Sequence, residues 1–364
     1  LVITHAIIQK EAETMNDKLT IIVPCRNEVE YIDAFMTSIL SQEIPEQVNE
    51  LEVLIVDGMS NDGTTEKIRE FVRKDSRVTL IENPCKTTSK ALNLALMKAT
   101  GDFIVRMDVH TEYAPDYIKM CLKELLRTGA DNVGGAARVK AVGYVQVAIG
   151  LAYKSRFGTG GAKFHNEHHQ GFVDTVPYGC WYKHTLARMG YFDEELIRNQ
   201  DDELNLRIIR NGGKVFQSNS IRSWYYPRSS ILSLFSQYRQ YGYWKVRIMQ
   251  KHKTPAAGRH LVPAIFTLAL LISAFLSIVD NAFAPVLIGL GALYLGSSLI
   301  ASILICNVLS KIKYLPIMPI IFAAYHFGYA LGFLIGLADF GLFSGRSGHY
   351  FTGLTRTVRK TSRN

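Results

Sequence analysis

The stretch Leu19–Glu28, LTIIVPCRNE, followed by Leu51–Thr64, LEVLIVDGMSNDGT, decides the fold. In each, a short apolar run rich in Ile, Val and Leu (Leu19–Val23, Leu51–Val56) leads straight into a polar cluster. Such runs are too short for helices and read as strands. Val78–Ile81 and Phe103–Met107 repeat the signal. Between them, Glu30–Ser41, Thr64–Arg73 and Ser89–Ala99 read as helices, with Gly101 placed to cap the third. Near-continuous apolar strands alternating with helices predict an α/β domain, a mostly parallel Rossmann-like sheet covered on both faces. Ligands in such sheets bind at the carboxyl ends of the strands. The chemistry is therefore expected just after Val23, Val56 and Met107.

Beyond this region the pattern changes twice. Residues 130–229 are less regular, with a Gly-rich loop at Gly158–Gly161 and a clear helix at Asp202–Arg210, and are expected to hold the acceptor side. Residues 230–258 mix Leu232, Phe235, Tyr238, Tyr241 and Trp244 with Arg and Lys, as in a helix lying in a membrane interface, with a core helix as the alternative. Three apolar segments follow: Leu261–Val279 and Ala282–Cys306, joined by an Asp280-Asn281 turn, and Tyr314–Ala338. Each approaches the roughly 20 residues a spanning helix needs. The third carries Gly328, Gly332 and Gly336, a spacing that allows close approach to a neighbouring helix. The resulting division is an N-terminal extension (1–18), a soluble catalytic domain (19–229), interfacial helices (230–258), a transmembrane region (259–340) and a basic tail (341–364).

The formal charge of +9 does not come from a polybasic arm interleaved with aromatics, so nucleic acid is not the expected partner. Many cations flank the apolar segments instead, at Arg239–Arg259, Lys311, Lys313 and Arg346–Arg363, where anionic headgroups lie. Both the flank before the first segment and that between the second and third read as cytoplasmic, and so does the tail. Three crossings cannot place all of them on one side; three spans are the expectation, and a re-entrant third segment is the alternative. The five scattered cysteines lack any CxxC spacing and fit a reducing cytosol. No signal peptide is read at the start, and residues 1–18 read as an extension ahead of a start near Met15.

Three clusters carry the chemistry. Pro24-Cys25-Arg26-Asn27-Glu28 follows the first strand and Asp57–Thr64 the second. Carboxylates suit a nucleoside rather than a diphosphate, since they accept from a uracil imide or ribose hydroxyls. Asp57 is assigned to nucleotide contact, while Asp62 or Ser60 suits a helix cap. In Arg106-Met107-Asp108-Val109-His110, Asp108 and His110 can face one cleft and hold a divalent ion, Mn2+ or Mg2+, against a leaving diphosphate. His165, His168 and His169 have helical metal-site spacing but lie in a polar, Gly-rich loop, and a loop role is preferred to zinc.

The order of these clusters resembles the family-2 inverting glycosyltransferases of GT-A fold. Asp57–Thr64 matches their Asp-rich turn, Lys90–Asn93 their Lys-x-x-Asn stretch, and Asp108-Val109-His110 stands where the family has Asp-x-Asp. The Arg-preceded Asp-x-His looks like the succinoglycan-type exopolysaccharide glucosyltransferases of the ExoA kind. Gly190–Glu194 and Gln200–Arg207 resemble the acceptor-side segments, which maps the general base onto Asp201 and replaces the family's Glu by Gln200. Gln240-Tyr241-Gly242-Tyr243-Trp244 resembles the Gln-x-x-Arg-Trp motif of membrane polysaccharide synthases, with Tyr243 at the Arg position; Trp244 can stack on a sugar or anchor in the bilayer interface.

The resemblance implies an inverting, metal-dependent hexosyltransferase on the cytoplasmic face of the inner membrane. It would use a UDP-sugar, UDP-glucose among the candidates, and extend a polyprenyl-diphosphate-linked glycan, alongside other polysaccharide-assembly enzymes. Pro24, Asn27, Glu28, Asp57, Lys90, Arg106 and Asp108 would bind the donor, Asp108 and His110 the metal, and Gln200, Gln240, Tyr243 and Trp244 would serve the acceptor side. The alternatives are a processive synthase, a polyprenyl-phosphate sugar transferase, or a non-catalytic nucleotide-sugar- or glycan-binding subunit.

Overall fold

The computed structural model describes residues 18–253, 257–308, 310–342 and 351; nearly all of the N-terminal extension and of the basic tail lies outside them. Residues Leu19–Val23 are buried on both sides, which is why their apolar run is unbroken. They sit in β1 (Lys18–Cys25), which pairs in parallel with β2 (Glu50–Asp57) on one side and with β4 (Phe103–Arg106) on the other. β3 (Val78–Glu82) adds in parallel beyond β2. The remaining strands are β5 (Thr111–Tyr113), β6 (Asn132–Gly134), β7 (Ala137–Val139), β8 (Gly171–Phe172), β9 (Cys180–Tyr182), β10 (Val215–Gln217) and β11 (Ser223–Tyr225). The main sheet runs β3-β2-β1-β4-β9-β6-β10-β8, with β9 antiparallel to β4 and β6, and a small sheet joins β5, β11 and β7.

Strand alternation divides the first core between two faces. Leu19, Ile21, Val23, Val53, Ile55, Phe103 and Val105 pack with α1 (Ile32–Leu40) and α4 (Tyr117–Thr128). Ile22, Leu54, Val56 and Ile104 face the other way onto α3 (Thr88–Lys98). α2 (Thr64–Lys74) follows β2. The C-cap of α3 is Ala99 rather than Gly101. Gly101 is required for a different reason: a Cβ there would lie 2.7 Å from both the Lys18 carbonyl oxygen and Thr20 Oγ1.

Two compact units emerge. The first comprises the sheet and its helices (residues 18–138, 167–195 and 200–225), the second residues 139–166, 196–199 and 226 onwards. The boundary expected at 229 is thus interrupted, because 139–166 folds with the C-terminal helices. That insert carries α5 (Tyr144–Lys154) and the short α6 (Arg156–Thr159), neither singled out in the sequence. α7 (Lys183–Met189) and α8 (Gln200–Arg210) return to the first unit; α9 (Ile231–His252), α10 (Val262–Val279), α11 (Ala284–Val308) and α12 (Met318–Gly336) complete the second. Its core joins Ala148, Ile149 and Ala152 of α5 to Leu234 of α9 and to Met318, Ile321, Phe322 and Tyr325 of α12. The last three apolar helices are long and apolar enough to cross a membrane, and Asp280 Oδ1 accepts from Ala282 N at 2.9 Å at the turn between the first two.

Candidate active site

The loops after β1 and β2 are sewn together by their own polar groups. Asn27 N donates to Ser60 Oγ at 2.8 Å, Asn61 N to Asn27 Oδ1 at 3.0 Å, and Glu28 N to Thr64 Oγ1 at 2.8 Å. Asp62 Oδ1 accepts from Thr64 N at 3.0 Å and Oδ2 from Val29 N at 3.2 Å, so it serves the start of α2 and the neighbouring loop together. Asp57 sits where expected, at the end of β2. It is only 3% exposed, and its two oxygens accept from Ser60 Oγ at 2.5 Å and Thr65 Oγ1 at 2.6 Å. Its carboxylate therefore organises the turn. Pro24 pairs with Val56 in the β1–β2 register.

The second centre lies after β4. Arg106 is 4% exposed and its guanidinium forks onto Asp108, Nε to Oδ1 at 2.8 Å and Nη2 to Oδ2 at 2.9 Å. Nη1 donates to Asp201 Oδ1 across 95 residues of sequence. Arg106 was expected to bind the donor. The structure buries it between the two carboxylates, which it joins, and burial of a planar fork is tolerated where its donors are matched. Burial works against its charge, but Asp108 and Asp201 outweigh that and hold the guanidinium above its ordinary value. Two tyrosines that the sequence did not single out complete the centre. Tyr113 Oη accepts from Asp108 N at 2.6 Å. The Tyr178 ring lies 5.9 Å from the Arg106 guanidinium carbon, and its hydroxyl shares a 2.7 Å hydrogen bond with Thr111. Burial pushes the Tyr178 phenol up, so it stays a neutral hydrogen-bonding group.

Asp201 stands in the first turn of α8, with a quarter of its side chain exposed. Burial pushes its carboxyl up to about 6; Arg106 pulls the other way, and Asp108 and Asp202 push with burial. α8 is fixed from behind. Asn205 accepts from Asn132 Nδ2 at 2.6 Å and donates to Thr175 Oγ1 at 2.8 Å, and Arg207 bridges Glu203 at 2.6 Å and the Met189 carbonyl. Asn93 of α3 holds the segment before it, donating to the Phe192 carbonyl at 2.9 Å and accepting from Phe192 N at 3.0 Å. Lys90, one turn earlier, is half-buried and lies 3.5 Å from Glu194. Gln200 is buried at the start of α8.

His110 Nδ1 pairs with Glu28 Oε1 at 3.1 Å. A carboxylate on one ring nitrogen is the arrangement that orients a metal-binding imidazole and leaves the other nitrogen to ligate. Asp108 shares its carboxylate with Arg106 and can offer an ion its remaining lone pairs. Among the described residues no three His, Cys, Asp or Glu side chains form a metal-binding group. One carboxylate and one imidazole are donors that suit an ion completed by substrate phosphates rather than an all-protein cage.

The remaining acceptor-side residues belong to the second unit. Gln240 Oε1 accepts from Arg198 Nε at 2.9 Å, and Tyr243 donates to Asp339. Trp244 is a correction. It is 2% exposed and packs against the Tyr243 ring at 5.4 Å, so it presents a face neither to a sugar nor to lipid. Its position on the inner side of α9 decides this.

Comparison with known proteins agrees with the geometry. The sequence model of the family described as Glycosyl transferase family 2 matches residues 20–188. The chain is 31% identical over 264 residues to the succinoglycan biosynthesis protein ExoA of Rhizobium meliloti (strain 1021), covering 68% of this chain and 76% of that one. It is 28% identical over 241 residues to the dolichyl N-acetyl-alpha-D-glucosaminyl phosphate 3-beta-D-2,3-diacetamido-2,3-dideoxy-beta-D-glucuronosyltransferase of Methanococcus voltae, covering 64% and 74%. Among solved structures, the mannosyltransferase PcManGT from Pyrobaculum calidifontis, in complex with GDP-Man and Mn2+, superposes with a TM-score of 0.54 at 20% identity, covering 89% of this chain and 87% of that one. The fold is GT-A.

Proposed function

Since the chain belongs to glycosyl transferase family 2, we propose that it is an inverting transferase that moves a sugar, glucose being the first candidate, from a UDP-sugar to a membrane-held, polyprenyl-diphosphate-linked glycan during exopolysaccharide assembly. The observation that carries this reading is Asp201: a carboxyl raised to about 6, partly open, and aimed by a buried arginine. A base titrating near the working pH both accepts a proton readily and is mostly ionised. Asp201 takes the proton of the acceptor hydroxyl while that oxygen attacks the anomeric carbon on the face opposite the diphosphate. The anomeric C–O bond to the diphosphate breaks, UDP departs and the anomeric configuration inverts.

Arg106 keeps the base oriented and ties it to Asp108 on the donor side. Asp108 and His110 are the residues that would hold a divalent ion, Mn2+ or Mg2+, which supplies charge neutralisation of the departing diphosphate. Glu28 orients His110, and the Asn27–Thr64 loops frame the nucleoside. The likeness to a succinoglycan biosynthesis protein and to a transferase acting on a dolichyl phosphate-linked sugar supports an exopolysaccharide product and a lipid-linked acceptor. We place the catalytic unit on the cytoplasmic side of the inner membrane, where nucleotide sugars are made.

A panel of UDP- and GDP-sugars, assayed in detergent with and without Mn2+ or Mg2+, tests the donor. Metal-stimulated turnover of a UDP-hexose is expected. Turnover of GDP-sugars alone would overturn the UDP assignment.

A further inference from the structure

The three apolar helices are not equivalent. The membrane-length windows of α10 and α11 are each 11% buried within the protein, whereas that of α12 is 50% buried. The glycines of α12 explain the difference. A Cβ on Gly328 would lie 2.9 Å from the Phe235 carbonyl oxygen, one on Gly332 1.8 Å from that of Arg239, and one on Gly336 3.0 Å from that of Tyr243. Gly242 of α9 reciprocates, its Cβ position 2.0 Å from the Tyr329 carbonyl oxygen. The contacts advance in step, so α9 and α12 run parallel, backbone against backbone. The close approach that the glycine spacing permits is therefore made to α9 and not to another apolar helix.

This partner constrains where α12 can go. Alongside α12, α9 carries Gln237, Arg239, Gln240 and Lys245, with Arg247 just beyond. Cations are among the least tolerated residues at the bilayer centre, and a crossing α12 would drag these in with it. Two further bonds tie α12 to the 139–166 insert: Tyr325 Oη donates to the Ile149 carbonyl at 3.2 Å, and His326 Nε2 meets the Phe157 carbonyl at 2.8 Å. α10 and α11 are the opposite case. They hold no charged residue, and Ile265, Phe275, Ile278, Ile288, Leu293 and Leu304 are exposed.

We infer that the α10–α11 hairpin alone crosses the bilayer, and that α9 and α12 lie together along the membrane surface from which the hairpin enters. The partner of this surface pair is an anionic lipid leaflet. Ile320, Leu331 and Leu337 are exposed on α12 and its extension and reach the acyl boundary, while Lys251 and Lys253, exposed at the C-terminal end of α9, meet headgroups. Charge agrees with two crossings: Lys251, Lys253 and Arg259 precede the hairpin, Lys311 and Lys313 follow it, and its tip is Asp280-Asn281. The basic tail then falls on the same side as both basic flanks, which three crossings cannot achieve. This topology is independent of the transferase reading and is tested without any activity.

Cys85 is the one exposed cysteine, so Cys85→Ser provides the background. Lys163→Cys, Asn281→Cys and Gly341→Cys are then introduced singly into the full chain. Right-side-out and inside-out vesicles are treated with a membrane-impermeant maleimide. Lys163→Cys and Gly341→Cys should label from one face, each at least about tenfold over the other face, and Asn281→Cys from the opposite face. Gly341→Cys labelling with Asn281→Cys, or from neither face, overturns the inference. Trypsin on the same vesicles checks the native chain: the Arg356–Arg363 tail should be cleaved from the Lys163 face, and cleavage from the Asn281 face overturns it.

Discussion

Asp57 and Asp201 are both carboxylates at the carboxyl edge of the sheet, yet they are built for different work. The hydrogen-bond partners of the Asp57 carboxylate lie within eight residues of it, both oxygens accept hydroxyl hydrogens, and it is almost wholly covered. Asp201 is held by an arginine 95 residues away and keeps an open side. Local partners make an acid into scaffold. A distant, buried cation makes one into an aimed and tuned group.

The most severe way to break this contrast is to remove the shared cation. Arg106→Ala leaves the Asp108 and Asp201 carboxylates without their shared cation, a loss of about 3–5 kcal/mol, read as a melting temperature about 10 °C lower in detergent. Arg106→Lys should keep more of the fold but still lose roughly 100-fold in kcat, because one ammonium cannot reproduce the fork. Full activity in Arg106→Lys would show that the bridge is not needed.

A pH series sharpens the same point. Asp201 must be ionised to accept a proton, so kcat/KM should fall about tenfold per unit below pH 6, near the value to which burial raises it. Since Arg106 lowers that value, Arg106→Lys should move this acid limb only if the bridge is loosened, and then upwards. A flat profile down to pH 5 would remove Asp201 from the proton transfer.

The smallest effect is expected on the other side of the contrast. Asp57→Ala strands the Ser60 and Thr65 hydroxyls at about 1–3 kcal/mol. It should weaken UDP binding several-fold through the loosened loop, with kcat at saturating donor nearly unchanged. Isothermal titration with UDP checks this, and a kcat loss matching that of a base variant would erase the distinction between the two acids.

The same contrast explains what could be read from the chain. Strands such as Leu19–Val23 announce themselves because both faces are buried, and the polar clusters after them follow directly from sheet geometry. Asp108 and Asp201 were singled out through motif order. Their junction was not: Arg106 looks like one more donor-binding cation until the fold brings α8 over β4, and Tyr178 carries no signal beyond a Gly neighbour at position 179. α5 was missed because apolar residues such as Val145, Ile149 and Leu151 surround it rather than striping one face. Trp244 was misjudged because a tryptophan among basic residues reads equally as a membrane anchor or a core residue, and only the α9–α12 packing separates them.

The central claim is that Asp201 is the base and that the donor loops bind without it. Asp201→Asn, nearly isosteric and still able to accept from Arg106, tests it directly by paired measurement of sugar transfer and UDP affinity. Transfer should fall by about 100- to 10,000-fold while UDP affinity stays within about twofold. Turnover close to that of the unaltered protein would contradict the account.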